Sequence, residues 1–270
     1  MGSIRMYLEY WNLNLLPFDN APDPRFFYES QGHKEAIMRL MFAVQTRKAI
    51  ALLTGDYGIG KTQICETVIN RLSSNEFKVA FVVNPRMEAI DLIREIAFQL
   101  GDEVSTRETY DALHALNKLL DRHAATGRHC VTFLDEAQLL LNPTILEDMR
   151  LLLNHHAGGR YLMTLILVGQ TEFGNMLKTT PQMIQRIGFK YHIPHLQAVE
   201  VSPYIVHRLT VAGRTAPLFS PDAVEAITKF SKGNPREINA LCDMCLLIGS
   251  LTNKTQIDAN EVLEAKRERE

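Results

Sequence analysis

The stretch that most restricts how this chain can fold is Gly55-Asp56-Tyr57-Gly58-Ile59-Gly60-Lys61-Thr62, followed by Gln63. It satisfies the pattern G-x-x-x-x-G-K-[ST] at every fixed position. An apolar run, Ala49 to Leu53, leads into it, and a helical pattern with Ile64, Val68 and Leu72 on one face leaves it. The glycines let the backbone curl until its N–H groups converge on a triphosphate. The helix amino terminus adds the positive end of its dipole. Lys61 is expected to reach the β- and γ-phosphates as a point charge, and the Thr62 hydroxyl to ligate Mg²⁺. Residues Gly55 to Gln63 are therefore the expected nucleotide-binding segment, with ATP and Mg²⁺ as the expected ligands.

The rest of the chain supplies a sheet for that loop. Further apolar strand candidates run over 78–83, 130–134, 163–168 and 189–193. Helical patterns lie between them, over 33–46, 87–100, 108–124, after Asn142-Pro143 and near 181–187. Near-continuous apolar strands alternating with helices predict a parallel sheet covered by helices on both faces. Residues 7–32, rich in proline and aromatics, read as an irregular wrap. From about residue 198 only helices are expected, starting near Ser202-Pro203, Ser220-Pro221, Asn234-Pro235 and Asp258. The predicted organisation is an α/β nucleotide-binding domain over 1–197, with its irregular segment 1–32, and a small all-helical lid over 198–270.

Composition sets outer limits. With 46% hydrophobic and 22% charged residues the chain reads as an ordinary soluble globular protein. Its formal charge of −2 gives no global basic field, and no stretch is basic enough to mark a DNA-binding surface, although an average hides local grooves. Four cysteines without framework spacing point to a reducing, cytoplasmic setting. No apolar run approaches the roughly 20 residues that span a bilayer.

A second site candidate is Asp135-Glu136, at the end of the strand Val131-Thr132-Phe133-Leu134. A carboxylate there can hold Mg²⁺ and a second can activate water, which gives Asp135 the metal role and Glu136 the base role. Gln170 follows the fourth strand and either senses a γ-phosphate or merely ends the strand. Arg186 precedes the last strand and is either a finger offered to a neighbouring subunit or a surface ion-pair residue. Arg236 opens a lid helix and either contacts the γ-phosphate or pairs with a nearby acid. Cys242 and Cys245 share a helical stripe with Ile238, Leu241 and Ile248, so both thiols read as core. His155-His156 reads as a solvated helix end.

Several of these elements together resemble one family. Pro17-Phe18, Pro22-Asp23-Pro24-Arg25-Phe26, Leu134-Asp135-Glu136-Ala137-Gln138, Leu167-Val168-Gly169-Gln170, Gln185-Arg186-Ile187 and Gly233-Asn234-Pro235-Arg236-Glu237 are similar to the ExeA (GspA) group of AAA+ ATPases. The resemblance spans essentially the whole chain. It implies a P-loop AAA+ sheet with a helical lid, a Walker B pair at Asp135-Glu136, a sensor at Gln170, a finger near Arg186, a second sensor at Arg236, and ATP-dependent homo-oligomers, usually rings. It further implies work on a protein complex of the envelope secretion, pilus or export type, peripheral attachment at the inner membrane, and a natural protein that continues past residue 270. The related TniB, TnsC and MuB regulators give the alternative expectation of an ATP-switched DNA-binding regulator.

Overall fold

The computed structural model describes residues 2–140, 143–179 and 181–269. The expected N-cap Asn142 lies outside the described residues. The chain forms two compact units, one of residues 33–57 and 61–193, the other of residues 1–32, 58–60 and 194–270.

The first unit is built on a five-stranded sheet. Its strands are β1 (Ile50–Thr54), β2 (Phe77–Val82), β3 (His129–Leu134), β6 (Met163–Gly169) and β7 (Ile187–His192), in the order β2-β3-β6-β1-β7. All neighbours are parallel. The three central strands β3, β6 and β1 are buried at every residue. One face packs Leu52, Leu134, Leu165 and Leu167 with residues of helices α4 (Ala89–Leu100), α5 (Thr109–Ala125) and α6 (Pro143–Leu152). The alternating residues Leu53, Phe133, Ile166 and Val168 are buried as well. Burial on both faces is why these strands read as continuous apolar runs rather than alternating ones.

The edges differ from expectation. Both β2 and β7 were expected to be buried, but β2 is mostly half-buried and β7 alternates between half-buried and exposed. Each lacks a partner strand on its outer side, so one row of side chains meets helix or solvent. Helix α2 (Gln31–Gln45) dresses β7: Tyr191 donates to Glu35, and Arg39 stands over the Tyr191 ring at 5.0 Å. A hairpin of β4 (His156–Ala157) and β5 (Arg160–Tyr161) turns through Gly158 and Gly159, both at positive φ. His156 therefore sits in a hairpin, not at a helix end, because the Gly-Gly pair offers the left-handed geometry a two-residue turn requires. Helix α3 (Lys61–Arg71) follows the glycine loop, and the short helices α7 (Thr171–Met176) and α8 (Pro181–Ile184) lie between β6 and β7.

The second unit is helical: α1 (Gly2–Trp11), α9 (Ala198–Val211), α10 (Pro221–Ser231), α11 (Pro235–Leu251) and α12 (Ala259–Arg269). Three of the predicted starts hold, with Ser220 and Asn234 capping through their side chains and Glu261 reaching back to the Asp258 N–H. The start near Ser202-Pro203 does not. Helix α9 begins at Ala198, where Gln197 and Glu200 form a capping box, and Pro203 lies inside it. The reciprocal cap satisfies two amide donors, enough to outweigh one hydrogen bond lost to proline early in the helix. Residues 7–11 are helical, not irregular, and residues 1–32 cluster with the C-terminal helices rather than with the sheet. Trp11 Nε1 donates to Leu246 O at 2.8 Å. Buried Arg208 donates to Pro17 O and Asp19 O, and its guanidinium lies 4.9 Å from the Phe26 ring. Cys242 and Cys245 are free, buried and part of this core, as the stripe predicted.

A buried polar chain braces the amino-terminal ends of the central strands. Thr164 Oγ1 donates to Lys48 O at 2.7 Å, so it accepts from His129 Nε2 at 2.8 Å. His129 is 1% exposed, and its Nδ1 has no partner. Burial, aided by the Arg47 charge, pulls its pKa down to about 4. Protonation would place an N–H where nothing accepts it. Since the folded pKa is depressed below about 6.5, stability is present above that pH and drains away as pH falls toward about 4. Between about pH 7 and about pH 5 the loss from this residue is about 2 kcal/mol. Urea unfolding at both pH values is expected to show a pH difference smaller by about that amount in His129→Asn than in the parent chain.

Candidate functional site

The parallel sheet places every strand's carboxyl end on one edge, and that edge gathers most of the predicted residues. Register pairs Thr54 of β1 with Gly169 of β6, and Leu134 of β3 with Leu167 of β6. Thr54, Gly169 and Leu134 thus release the glycine loop, Gln170 and Asp135 side by side. The loop is tied down at its start: Gly55 N–H donates to Gly169 O at 3.3 Å, and Thr171 Oγ1 donates to Asp56 Oδ1 at 2.8 Å.

Lys61 is 5% exposed and uses two of its three donors on loop carbonyls, Gly55 O at 2.9 Å and Asp56 O at 3.0 Å. Burial pulls its pKa down, opposed by the charges of Glu136, Asp135 and Asp56. Thr62 Oγ1 donates to Asp135 Oδ2 at 2.5 Å. Asp135 is fully buried and also accepts the Glu136 N–H at 2.9 Å. Burial raises its pKa, while the Thr62 hydroxyl and the Glu136 amide pull it back. Two hard oxygens, one hydroxyl and one carboxylate, thus meet beside the loop. Such a sparse oxygen set suits Mg²⁺, which keeps several waters and takes its remaining ligands from phosphates.

Glu136 takes a left-handed conformation, φ 51°, uncommon outside glycine, asparagine and aspartate. The adjacent residue that sequence reasoning left without a role is Gln138. Its Nε2 donates to the Glu136 carboxylate, and its Oε1 accepts the Gln170 N–H at 3.1 Å. One side-chain amide therefore links the two carboxyl-end loops of β3 and β6. Its spacing, two residues past Glu136 and followed by an apolar run, was the available signal; nothing in the sequence revealed its second partner, 32 positions away.

One predicted residue stands apart from this cluster. Arg186 immediately precedes β7, at the opposite edge of the sheet, and donates to Asn154 Oδ1. Arg236 belongs to the helical unit, in the first turn of α11. Within that unit it crowds Gly58: a Cβ added to Gly58 would lie 2.5 Å from Arg236 Cβ, and Gly58 has φ +79°. Only glycine suits both constraints. Ile59 is buried and Tyr57 is 57% exposed at the loop tip. Among the described residues no cluster of three or more His, Cys, Asp or Glu side chains forms a metal cage.

A strand, a glycine loop and helix, an acid pair on a second strand, a polar residue after a third and a helical C-terminal region together define the P-loop AAA+ architecture. The sequence matches the family described as an AAA domain over residues 44–177. It is 35% identical over 250 residues to general secretion pathway protein A of Aeromonas hydrophila, covering 90% of this chain and 44% of that protein's length. The chain is thus similar to the ExeA (GspA)-like AAA+ ATPases over 90% of its length and spans less than half of that relative. Among solved structures, the ORC2 protein of Aeropyrum pernix is similar at a TM-score of 0.69 and 19% identity, over 94% of this chain and 72% of that one. Cdc6p of Pyrobaculum aerophilum is similar at 0.67 and 17%, over 93% and 70%. The RuvB branch-migration motor of Thermotoga maritima is similar at 0.60 and 18%, over 90% and 70%. At these identities the likeness is one of fold.

The buried Asp135 carboxylate carries a stability consequence. Its folded pKa is raised, so its ionised form opposes folding at neutral pH, and stability rises as pH falls through that pKa. In Asp135→Asn the amide oxygen can accept the Glu136 N–H and the amide nitrogen can donate to Thr62, with no buried charge. Thermal unfolding of Asp135→Asn without added nucleotide is expected at an equal or higher midpoint than the parent's, while Mg²⁺-dependent nucleotide binding, read by a fluorescent ATP analogue, is expected to be lost.

Proposed function

We propose that this chain binds Mg²⁺–ATP and hydrolyses it, assembling into a homo-oligomer when ATP-loaded and driving or regulating assembly of a protein complex. The observation that carries the reading is the Thr62 hydroxyl lodged on the Asp135 carboxylate, with Glu136 adjacent and Lys61 in the same loop. In this reading residues 1–197 act as the nucleotide-binding domain and 198–270 as the lid. Backbone amides from Gly55 to Gln63 cradle the phosphates, and Lys61 turns its ammonium from loop carbonyls to phosphate oxygens. Thr62 and Asp135 hold Mg²⁺, which supplies positive charge at the phosphate oxygens when bound. Glu136 orients and deprotonates the attacking water, held in its rotamer by Gln138. Gln170 and Arg236 report the γ-phosphate, and Arg186 serves a neighbour's nucleotide.

Kinship with general secretion pathway protein A supports an envelope secretion, pilus or export machine as the setting, with the chain on the cytoplasmic side at the inner membrane. No helix among the described residues is long and apolar enough to cross a membrane.

Point substitutions separate these roles. Lys61→Ala is expected to abolish measurable ATP binding. Glu136→Gln is expected to bind ATP as tightly as the parent and to release phosphate at least about 100-fold more slowly. Gln138→Ala is expected to keep affinity and lose turnover. Normal turnover in Glu136→Gln rejects the assigned base.

The trans role of Arg186 has its own signature. Specific activity is expected to rise with protein concentration in the parent and to stay low in Arg186→Ala. Mixing Arg186→Ala with Glu136→Gln, each nearly inactive alone, is expected to restore part of the turnover, since each supplies what the other lacks. No restoration on mixing assigns Arg186 to its own subunit's structure.

A further inference from the structure

The opposite edge of the sheet, where the strands begin, carries a second charged feature, of which the ATPase reading uses only Arg186. Arg47 and Lys48 immediately precede β1, and Arg160 arrives from the β4–β5 hairpin. These residues, with Tyr161 and Gly159, line a cleft of about 460 Å³. An adjoining cleft of about 220 Å³ shares Gly159 and Tyr161 and adds His156 and Arg186. No acid lines either cleft. Among the described residues Arg47, Lys48 and Arg160 form no ion pair; those present use other cations.

The cations are held in place. Arg47, at φ 52°, is the left-handed residue that ends α2, with its N–H on Val44 O at 3.0 Å and the Lys48 N–H on Ala43 O at 2.9 Å. The Lys48 carbonyl is fixed by Thr164, itself braced by buried His129. The Lys48 stem lies against Gly188, where an added Cβ would come within 3.3 Å of it. Proximity to the carboxyl end of α2 accounts for a cation at 47 or 48. It does not account for Arg160, which comes from a separate hairpin 112 positions after Lys48 in the chain.

We propose that this trough binds the sugar-phosphate backbone of nucleic acid, independently of the nucleotide site. The ligand must be anionic, because unpaired cations converge with no compensating acid. It must also be extended, because two clefts joined through shared residues form a trough rather than a closed pocket. A concave trough suits a strand better than a planar lipid surface. Tyr161, common to both clefts, offers an aromatic ring for a base. The sequence hid this feature because its charges are distributed over distant segments of a chain whose net charge is −2.

The test is fluorescence anisotropy of a labelled oligothymidylate and of a hairpin duplex, titrated with the full chain across a series of KCl concentrations. Binding is expected at low salt, with a log–log salt slope of about −2 to −3 from three cations. The variant Arg47→Gly/Lys48→Ala/Arg160→Ala is expected to lose at least about tenfold in affinity and to flatten that slope. Glycine suits the left-handed backbone at 47, and the other two side chains are exposed, so folding is retained; circular dichroism and unchanged ATP binding verify it. Lys61→Ala is expected to keep nucleic-acid binding, which separates this site from the phosphate loop. Absence of binding at low salt overturns the proposal, as does undiminished binding in the folded triple variant. Displacement of the oligonucleotide by equimolar tripolyphosphate, or preferential binding to phosphatidylglycerol vesicles, overturns it in favour of a small anion or a membrane.

Discussion

The hydrogen bond from the Thr62 hydroxyl to the Asp135 carboxylate is the constraint on which the nucleotide-binding half of the molecule turns. It joins the first turn of α3 to the end of β3, although β6 separates β3 from β1 in the sheet. Closure of that contact requires the three central strands to end level, and the register pairs Thr54 with Gly169 and Leu134 with Leu167 to within a residue or two of doing so. It also requires a carboxylate to sit fully buried, against its tendency to protonate there. Continuous apolar burial of β1, β3 and β6 supplies the stability that this arrangement consumes.

The helical unit solves a different problem. Its N-terminal segment has little regular structure between Trp11 and Gln31, so side chains must hold what backbone ladders do not. Arg208 does this with two carbonyl bonds and a ring contact, and Tyr204 and Asn239 extend the polar chain to Asn20. The Pro22-Asp23-Pro24-Arg25-Phe26 element that pointed to the family is structural in this setting. Asp23 caps the short turn and pairs with Arg25, and Phe26 seats under the Arg208 guanidinium.

Elements whose physics is local were readable from residue order alone. The glycine loop, the five strands, and the helix starts at Ser220, Asn234 and Asp258 all follow from side chains acting within a few positions. Features governed by tertiary neighbours were not. The exposure of β7 depends on its being an edge, which sequence does not encode. The start of α9 depended on two opposed signals, a capping box and a proline, whose balance favoured the box. Gln138 was visible as a residue but not as a link, because its second partner is a backbone amide just past another strand. Arg47 and Arg160 were visible as charges but not as neighbours.

Backbone conformation singles out one position at the strand ends. Among the described residues, five non-glycine residues have positive φ: Asn12, Arg47, Glu136, Lys232 and Asn253. Asparagine tolerates that region, and Lys232 ends a helix, where left-handed residues are common. Arg47 likewise ends α2, with its N–H on Val44 O and the Lys48 N–H on Ala43 O. Among the five, Glu136 has neither excuse, and it costs on the order of 1 kcal/mol relative to glycine. It stands at the strand ends beside the phosphate loop. Glycine would relieve the strain and remove the carboxylate. Strain retained where only the side chain's chemistry can compensate it is the pattern expected of a working position.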